Sequence, residues 1–165
     1  MMETGAIYFA RHQDTYVFKF TGEVRFQQGC AFDDFLKRLF AGEDFNDILV
    51  DLTETRLIDS TNLGLLAKIA NYIRRRFNRK VTVFSTNEDI NQILDSVGFF
   101  SVFNICNWNP LKTEDDKQAI ACPDDQPHRL TTLYEAHLIL SELNEKNREM
   151  FRNVVEELQA KACSS

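Results

Sequence analysis

The stretch from residue 47 to residue 66 constrains the fold of this chain most strongly. Residues 48–52 form a near-continuous apolar run, which is the pattern of a central strand buried on both faces of a sheet. A short polar crossing follows, and Asp59 or Ser60 then provides a good N-cap for a long amphipathic helix. This order predicts an α/β fold in which Ser60 is exposed at the N-terminus of the helix that follows the central strand.

The apolar patterns of residues 5–106 predict the element order β, β, α, β, α, β, α, β. Residues 5–11 and 15–20 are rich in β-forming residues and are separated by turn residues, which favours a hairpin. Strands that alternate with helices pair in parallel through right-handed crossovers. We therefore expect a mixed sheet. The other expected elements are a loop at 21–25, helices at about 29–41, 60–77 and 86–98, and strands at 80–85 and 99–106.

The character of the chain changes after residue 107. Acidic residues outnumber basic ones in the following stretch, which also holds all three prolines: Pro110, Pro123 and Pro127. Such a composition is typical of a linker. We therefore divide the chain into a sheet domain at residues 1–107, an acidic linker at 108–130 and a long C-terminal amphipathic helix at 131–160.

The C-terminal helix begins, in this interpretation, at a capping box formed by Thr132 and Glu135. Apolar residues follow at three- and four-residue spacing, and His137 widens the apolar stripe. We expect the first half of the helix to pack on the sheet domain. The asparagine-rich second half is expected to be free, swapped or bound to a partner, and a homodimer through this helix is one such arrangement.

Charge and cysteine usage exclude several classes of function. The net charge of −6 argues against nucleic-acid binding, and the basic run at residues 74–80 fits a solvated helix end. No export signal and no apolar stretch of membrane-spanning length are recognisable, so a cytoplasmic protein without membrane insertion is expected. The four cysteines lack paired spacing with one another or with histidine, which predicts reduced thiols and neither a metal site nor a cofactor.

Ser60 has two interpretations on the residues alone. It can be a helix-capping hydroxyl with no further role. It can also be a phosphorylation acceptor, because a phosphate carrying roughly −1.5 to −2 charge is stabilised by the free N–H groups of a helix N-terminus. Enzymatic motifs such as G-x-G-x-x-G, a P-loop or G-x-S-x-G do not occur. Asp51 and Asp59 fit turn and cap residues better than paired catalytic carboxylates, so we expect no catalytic residue and no enzyme.

Three segments of the chain resemble a known family in order and spacing. The strand ending at Asp51 is followed by Asp59-Ser60-Thr61-Asn62-Leu63-Gly64, and the other two segments are Thr21-Gly22-Glu23-Val24 and Leu94-Asp95-Ser96-Val97-Gly98-Phe99. Together they resemble the STAS domain and, more narrowly, the bacterial anti-sigma factor antagonists. The likeness extends from about residue 7 to residue 105. It departs from the family pattern at Asn62, where a glycine is usual, so we expect Asn62 to alter partner specificity.

The resemblance implies a partner-switching function. In that family the serine that matches Ser60 is phosphorylated by a kinase that is itself the anti-sigma factor. The unphosphorylated form binds the anti-sigma factor and so releases the sigma factor, and a PP2C-type phosphatase resets the switch. Carried over to this chain, Asp59, Thr61, Asn62 and Leu63 shape the acceptor loop and bind the partner, and Glu23 and Val24 contribute to the same surface.

Two other classes of function remain open at this point. STAS domains also serve as soluble subunits of membrane transport complexes, and co-isolation with a permease would favour that function. A nucleotide-binding module is the second alternative, supported only by the helix N-terminus at Ser60, since no glycine-rich phosphate cradle is present.

Overall fold

The fold is the mixed α/β architecture that the sequence predicts. The computed structural model describes residues 4–42, 44–108, 117–123, 126 and 128–164. Its sheet has the order β5-β4-β3-β2-β1-β6, in which β2 to β5 are parallel and β1 is antiparallel to both of its neighbours. The strands are β1 Ala6–His12, β2 Thr15–Val24, β3 Asp47–Ile58, β4 Thr82–Phe84, β5 Asn104–Cys106 and β6 Gln118–Ala119.

Strands β2 and β3 continue through residues that the sequence suggests are a loop and a crossing. Residues 21–24 pair with residues 54–58 of β3, with irregularities in register on both sides of Thr21–Gly22. Gly22 has a φ of 70°, which glycine adopts without steric cost. Inside the pair, the Thr55 hydroxyl donates to the Phe20 carbonyl oxygen at 2.8 Å. The loop prediction for residues 21–25 is therefore wrong, because pairing with β3 satisfies the backbone of this polar segment.

Three helices follow the strands of the domain close to where the sequence predicts them. They are α1 Phe26–Gly42, α2 Ser60–Phe77 and α3 Glu88–Ser96, with a 3-10 turn at Phe99–Ser101. Helix α2 ends, as predicted, at Phe77, and Asn78 caps it with left-handed φ by donating its N–H to the Arg74 carbonyl oxygen. Helix α1 begins three residues before its predicted start. The predicted strand at 99–106 opens with the 3-10 turn, so only its last three residues pair in β5.

Aromatic rings fill the core between the sheet and its helices. Phe18, Phe20 and Phe32 are fully buried. Phe32 of α1 meets Phe18 and Phe20 edge to face, with ring centroids 5.0 and 5.3 Å apart. Burial of one such ring stabilises a fold by about 2–3 kcal/mol, so α1 and the central strands form one rigid support for the residues that follow β3.

The predicted C-terminal helix consists of two helices, α4 Arg129–Ser141 and α5 Glu145–Ser164. The chain breaks at Asn144, whose side-chain oxygen accepts the backbone N–H of Asn147 at 2.8 Å and so caps α5. The capping-box prediction is wrong: α4 begins at Arg129, and the Thr132 hydroxyl instead donates to Asp33 of α1. A cap inside the apolar repeat thus divides the helix.

Helix α4 packs on α2 and α1, as expected for the first half of the C-terminal segment, and α5 packs on α4. The buried Asn147 ties the start of α5 to the domain, because its amide nitrogen donates to the Val97 carbonyl oxygen at 2.9 Å and to the Leu140 carbonyl oxygen at 3.0 Å. The linker prediction falls partly on residues 109–116, 124–125 and 127, which lie outside the described residues. Self-association through the C-terminal segment stays a prediction.

Candidate functional site

Asp59, and not Ser60, caps helix α2. Its backbone is extended, and its carboxylate oxygen Oδ1 accepts the backbone N–H of Asn62 at 3.0 Å. The Asp59 N–H in turn bonds the Val24 carbonyl oxygen at the end of β2, at 3.2 Å. Ser60 is the first residue of the helix and is half-buried. The capping explanation for Ser60 therefore fails, and its hydroxyl is left for another contact.

That contact is with His137 of α4. The Ser60 Oγ lies 2.7 Å from His137 Nε2, and the other ring nitrogen, Nδ1, lies 2.7 Å from the Leu133 carbonyl oxygen. A carbonyl oxygen only accepts hydrogen bonds, so Nδ1 carries a proton. Of the two neutral tautomers, only the one protonated on Nδ1 fits both contacts, and in it Nε2 accepts the hydroxyl proton of Ser60. The imidazole is buried, and Phe151 of α5 meets it edge to face.

A serine hydroxyl that donates to a histidine is the pair used for nucleophilic activation in many enzymes. Here the group that orients His137 is a backbone carbonyl oxygen one turn earlier in the same helix, at Leu133. Ser60 and His137 are 77 positions apart in the chain. The sequence signal for the pair was the histidine on the apolar stripe of the C-terminal helix, since a buried imidazole needs hydrogen-bonding partners.

Asn62 is fully buried and connects two helix starts. Its amide nitrogen donates to the Arg25 carbonyl oxygen at 3.0 Å and to the Asp59 carboxylate at 2.9 Å. Its oxygen has no hydrogen-bond partner among the described residues, and a Cβ on Gly29 of α1 would lie only 3.0 Å from it. In this conformation the Asn62 side chain is not exposed to a partner. It can influence binding only by holding the shape of the loop around Ser60. Its effect on specificity stays a prediction.

The other predicted partner-binding residues converge on the same edge of the domain. Val24 pairs with Ile58 at the ends of β2 and β3, and Glu23 is half-buried with its carboxylate 3.3 Å from an Arg25 guanidinium nitrogen. Val24, Thr61 and Leu63 are buried. The structure therefore brings Glu23, Asp59 and Ser60 together as the partly exposed side chains of the set. Partner binding by these residues stays a prediction.

Helix α4 approaches α2 at backbone distance. A Cβ built on Gly64 would lie 2.6 Å from the carbonyl carbon of Ala136 and 2.9 Å from its Cα, and closer still to the carbonyl oxygen. Real Cβ atoms do not come so near to backbone, so a glycine is required here for α4 to pack as it does. Ala136 and Leu140 are buried by this approach.

A buried carboxylate marks the place where α4 also meets α1. Asp33 accepts hydrogen bonds from Lys68 Nζ of α2 at 2.7 Å and from the Thr132 hydroxyl of α4 at 3.2 Å, and it pairs with Lys37 Nζ at 3.2 Å. Burial by itself would lower the pKa of Lys37, but the attraction and hydrogen bond of Asp33, together with the nearby carboxylates of Glu135 and Asp34, raise the pKa above its ordinary value. The charge of Asp33 is thus satisfied by two lysines of the sheet domain itself.

Neither a membrane span nor a metal cluster is found in the part of the chain that the structure describes. No helix there is long and apolar enough to cross a bilayer. Among the described residues, His, Cys, Asp and Glu side chains form no group of three or more that could hold a metal ion.

A β-hairpin that leads into alternating helices and parallel strands, with a serine opening the helix after the central strand, defines a STAS-like α/β domain. The family model of the STAS domain matches residues 6–116. The chain therefore belongs to the STAS domain family, whose members include anti-sigma factor antagonists and domains of transporters. No curated protein matches the chain. Helices α4 and α5 lie beyond the matched residues.

Proposed function

We propose that the protein is an anti-sigma factor antagonist that acts by partner switching in the cytoplasm. Unphosphorylated, it binds an anti-sigma factor with serine kinase activity and so releases the sigma factor. Phosphorylated on Ser60, it lets the anti-sigma factor go, and a PP2C-type phosphatase restores it. The protein is a substrate in this cycle and not itself an enzyme.

One observation carries the proposal: Ser60 opens α2 in a STAS domain without serving as its cap. A phosphate on Oγ would lie near the first-turn N–H groups of α2, which favour negative charge. The α2 cap itself depends on Asp59, which accepts from Asn62. Phosphorylation is therefore expected to preserve the domain and to change what binds to it.

The charges around the acceptor explain why phosphorylation would weaken binding. The carboxylates of Glu23 and Asp59 already belong to this edge, so a dianion on Ser60 concentrates negative charge there. Burying that charge against a partner without a matched cation costs several kcal/mol, because desolvation is not offset by a new ion pair. The unmodified hydroxyl carries no such penalty.

The proposal is tested by affinity capture from the native host with tagged wild type, Ser60→Ala and Ser60→Asp. We expect Ser60→Ala to retain a kinase-type anti-sigma factor and Ser60→Asp to lose it. Ser96→Asp is the matched control, because it adds the same charge at an exposed serine at the end of α3. Equal capture by wild type and both Ser60 variants would refute the phosphoswitch. Capture of a permease from the membrane fraction would instead favour a transport-complex subunit.

A further inference from the structure

Helix α4 rests on the face of the domain that carries Ser60. Its contacts with that face include those of His137 with Ser60, of Ala136 with Gly64, and of Thr132 with Asp33. We propose that α4 is a removable cover of a helix-binding surface on α1 and α2, and that the partner helix takes the place of α4. This inference rests on the function proposed above, since it makes Ser60 available only when α4 has left.

The surface has the features of a site for one helix. Gly64 removes the side chain at the closest approach, so a second helix can reach α2 at backbone distance. Ser60 and the Asp33–Lys68 pair flank that point and supply polar partners. The partner that fits is therefore an amphipathic helix with alanine or glycine opposite Gly64, a hydrogen-bond acceptor opposite Ser60 and a hydroxyl opposite Asp33.

The buried charge under α4 keeps its partners when α4 leaves. Asp33 is fully buried, and an unpaired carboxylate there would be strongly destabilising. It keeps Lys37 and Lys68, which belong to α1 and α2, when Thr132 is withdrawn. The STAS match also ends at residue 116, before α4 begins. Loss of α4 therefore exposes the apolar side chains of its interface, among them Ala136 and Leu140, without leaving a buried charge.

The cover opposes phosphorylation while it is closed. Phosphorylation joins the Ser60 oxygen to the γ-phosphorus of ATP, releases ADP and passes the hydroxyl proton to a base of the kinase. In the closed form that proton is directed to His137, whose imidazole lies 2.7 Å from Oγ and fills space that the phosphoryl group needs. A kinase whose own helix displaces α4 would open Ser60 at the moment it binds.

Hydrogen exchange measured by mass spectrometry on the full chain tests the cover without any kinase. In Ser60→Ala, α4 amides should exchange about three- to tenfold faster than in wild type, the change expected for one lost hydrogen bond. His137→Ala and the double variant should exchange at least as fast, because alanine at 137 also removes the bond to the Leu133 carbonyl oxygen and the contact with Phe151. Amides of β3 should keep their wild-type rates. Unchanged α4 exchange, or equal acceleration throughout the domain, would overturn the cover.

Phosphate-affinity gels of the protein from its native host test the consequence for Ser60. We expect a larger phosphorylated fraction in His137→Ala than in wild type, and no change in Gly42→Ala, whose added Cβ meets no described atom within 4 Å. A smaller phosphorylated fraction in His137→Ala than in wild type would indicate that the imidazole assists phosphorylation as a proton acceptor. That result would overturn the proposal that α4 is a cover. If α4 amides exchange faster in the variants but no gel band depends on Ser60 in any of them, the phosphoswitch is refuted and the cover is not.

Discussion

Among glycine-to-alanine substitutions in the helices, Gly64→Ala should weaken the packing of α4 on α2 the most. The new Cβ would lie 2.6 Å from the Ala136 carbonyl carbon. Ordinary carbon–carbon contacts are about 3.5–4.0 Å, so α4 has to move by roughly 1 Å. The obstructing atoms belong to the backbone of Ala136, and no side-chain rotation relieves the overlap. The strain must therefore be taken up by displacement of α4.

The expected magnitude follows from two opposing terms. Overpacking in a well-packed interior costs about 1–3 kcal/mol, and a backbone-to-backbone overlap belongs at the upper end of that range. Replacing glycine by alanine in a helix interior returns about 1 kcal/mol. The free energy of unfolding should therefore fall by about 2 kcal/mol, which lowers the melting temperature of a chain of this size by roughly 4–8 °C.

Urea unfolding followed by circular dichroism measures this change, with Gly42→Ala as the matched control. Gly42 is the last residue of α1, and an added Cβ there meets no described atom within 4 Å. The control should be neutral or slightly stabilised. If Gly64→Ala is as stable as Gly42→Ala and its α4 amides exchange at wild-type rates, the close approach of α4 to α2 is refuted.

Three further changes test the contacts around the site. Asn62→Gly introduces the residue usual in the family, removes two hydrogen bonds and adds backbone entropy to the unfolded chain. We expect it to lower the free energy of unfolding, measured by urea titration, by about 2 kcal/mol. An unchanged value would contradict the hydrogen bond from Asn62 to the Arg25 carbonyl oxygen. Thr132→Val keeps the shape of the side chain but removes its hydrogen bond to Asp33. We expect the free energy of unfolding to fall by about 1 kcal/mol. An unchanged value would show that the two lysines are sufficient to stabilise Asp33. Burial raises the pKa of the Cys30 thiol, which lowers the fraction present as thiolate. At pH 8 Cys30 should therefore react with iodoacetamide about tenfold more slowly than exposed Cys163, as followed by peptide mass mapping. Equal rates would contradict the burial of Cys30.

Local patterns were sufficient for most elements of the domain. The apolar run before Asp51 predicted the central strand, and the residues flanking α2 predicted its start within one position and its end at Phe77. These signals are local because capping and side-chain periodicity involve residues within one or two turns of each other. The extension of β2 and β3 was missed because the pairing of residues 21–24 with 54–58 is decided between strands.

The break between α4 and α5 was missed although part of its signal is local. Its signal, Asn144 three residues before Asn147, is local and is a recognisable cap. The apolar spacing continues across it, and so the sequence suggested one helix. Asn147 continues the three- and four-residue spacing of Leu140 and Leu143. Its place among apolar residues is explained only by its bonds to the Val97 and Leu140 carbonyl oxygens. A polar residue on an apolar stripe thus indicated a tertiary contact.

By itself, the sequence determined the α/β class, the STAS resemblance and the position of Ser60 at the start of α2, because each depends on residues that are close together in the chain. Only the tertiary structure decided what Ser60 contacts. His137 lies 77 positions away, in a helix that reaches Ser60 because Gly64 admits its backbone. The histidine on the apolar stripe indicated a buried imidazole, but its partner could not be predicted, since the partner depends on how two helices pack.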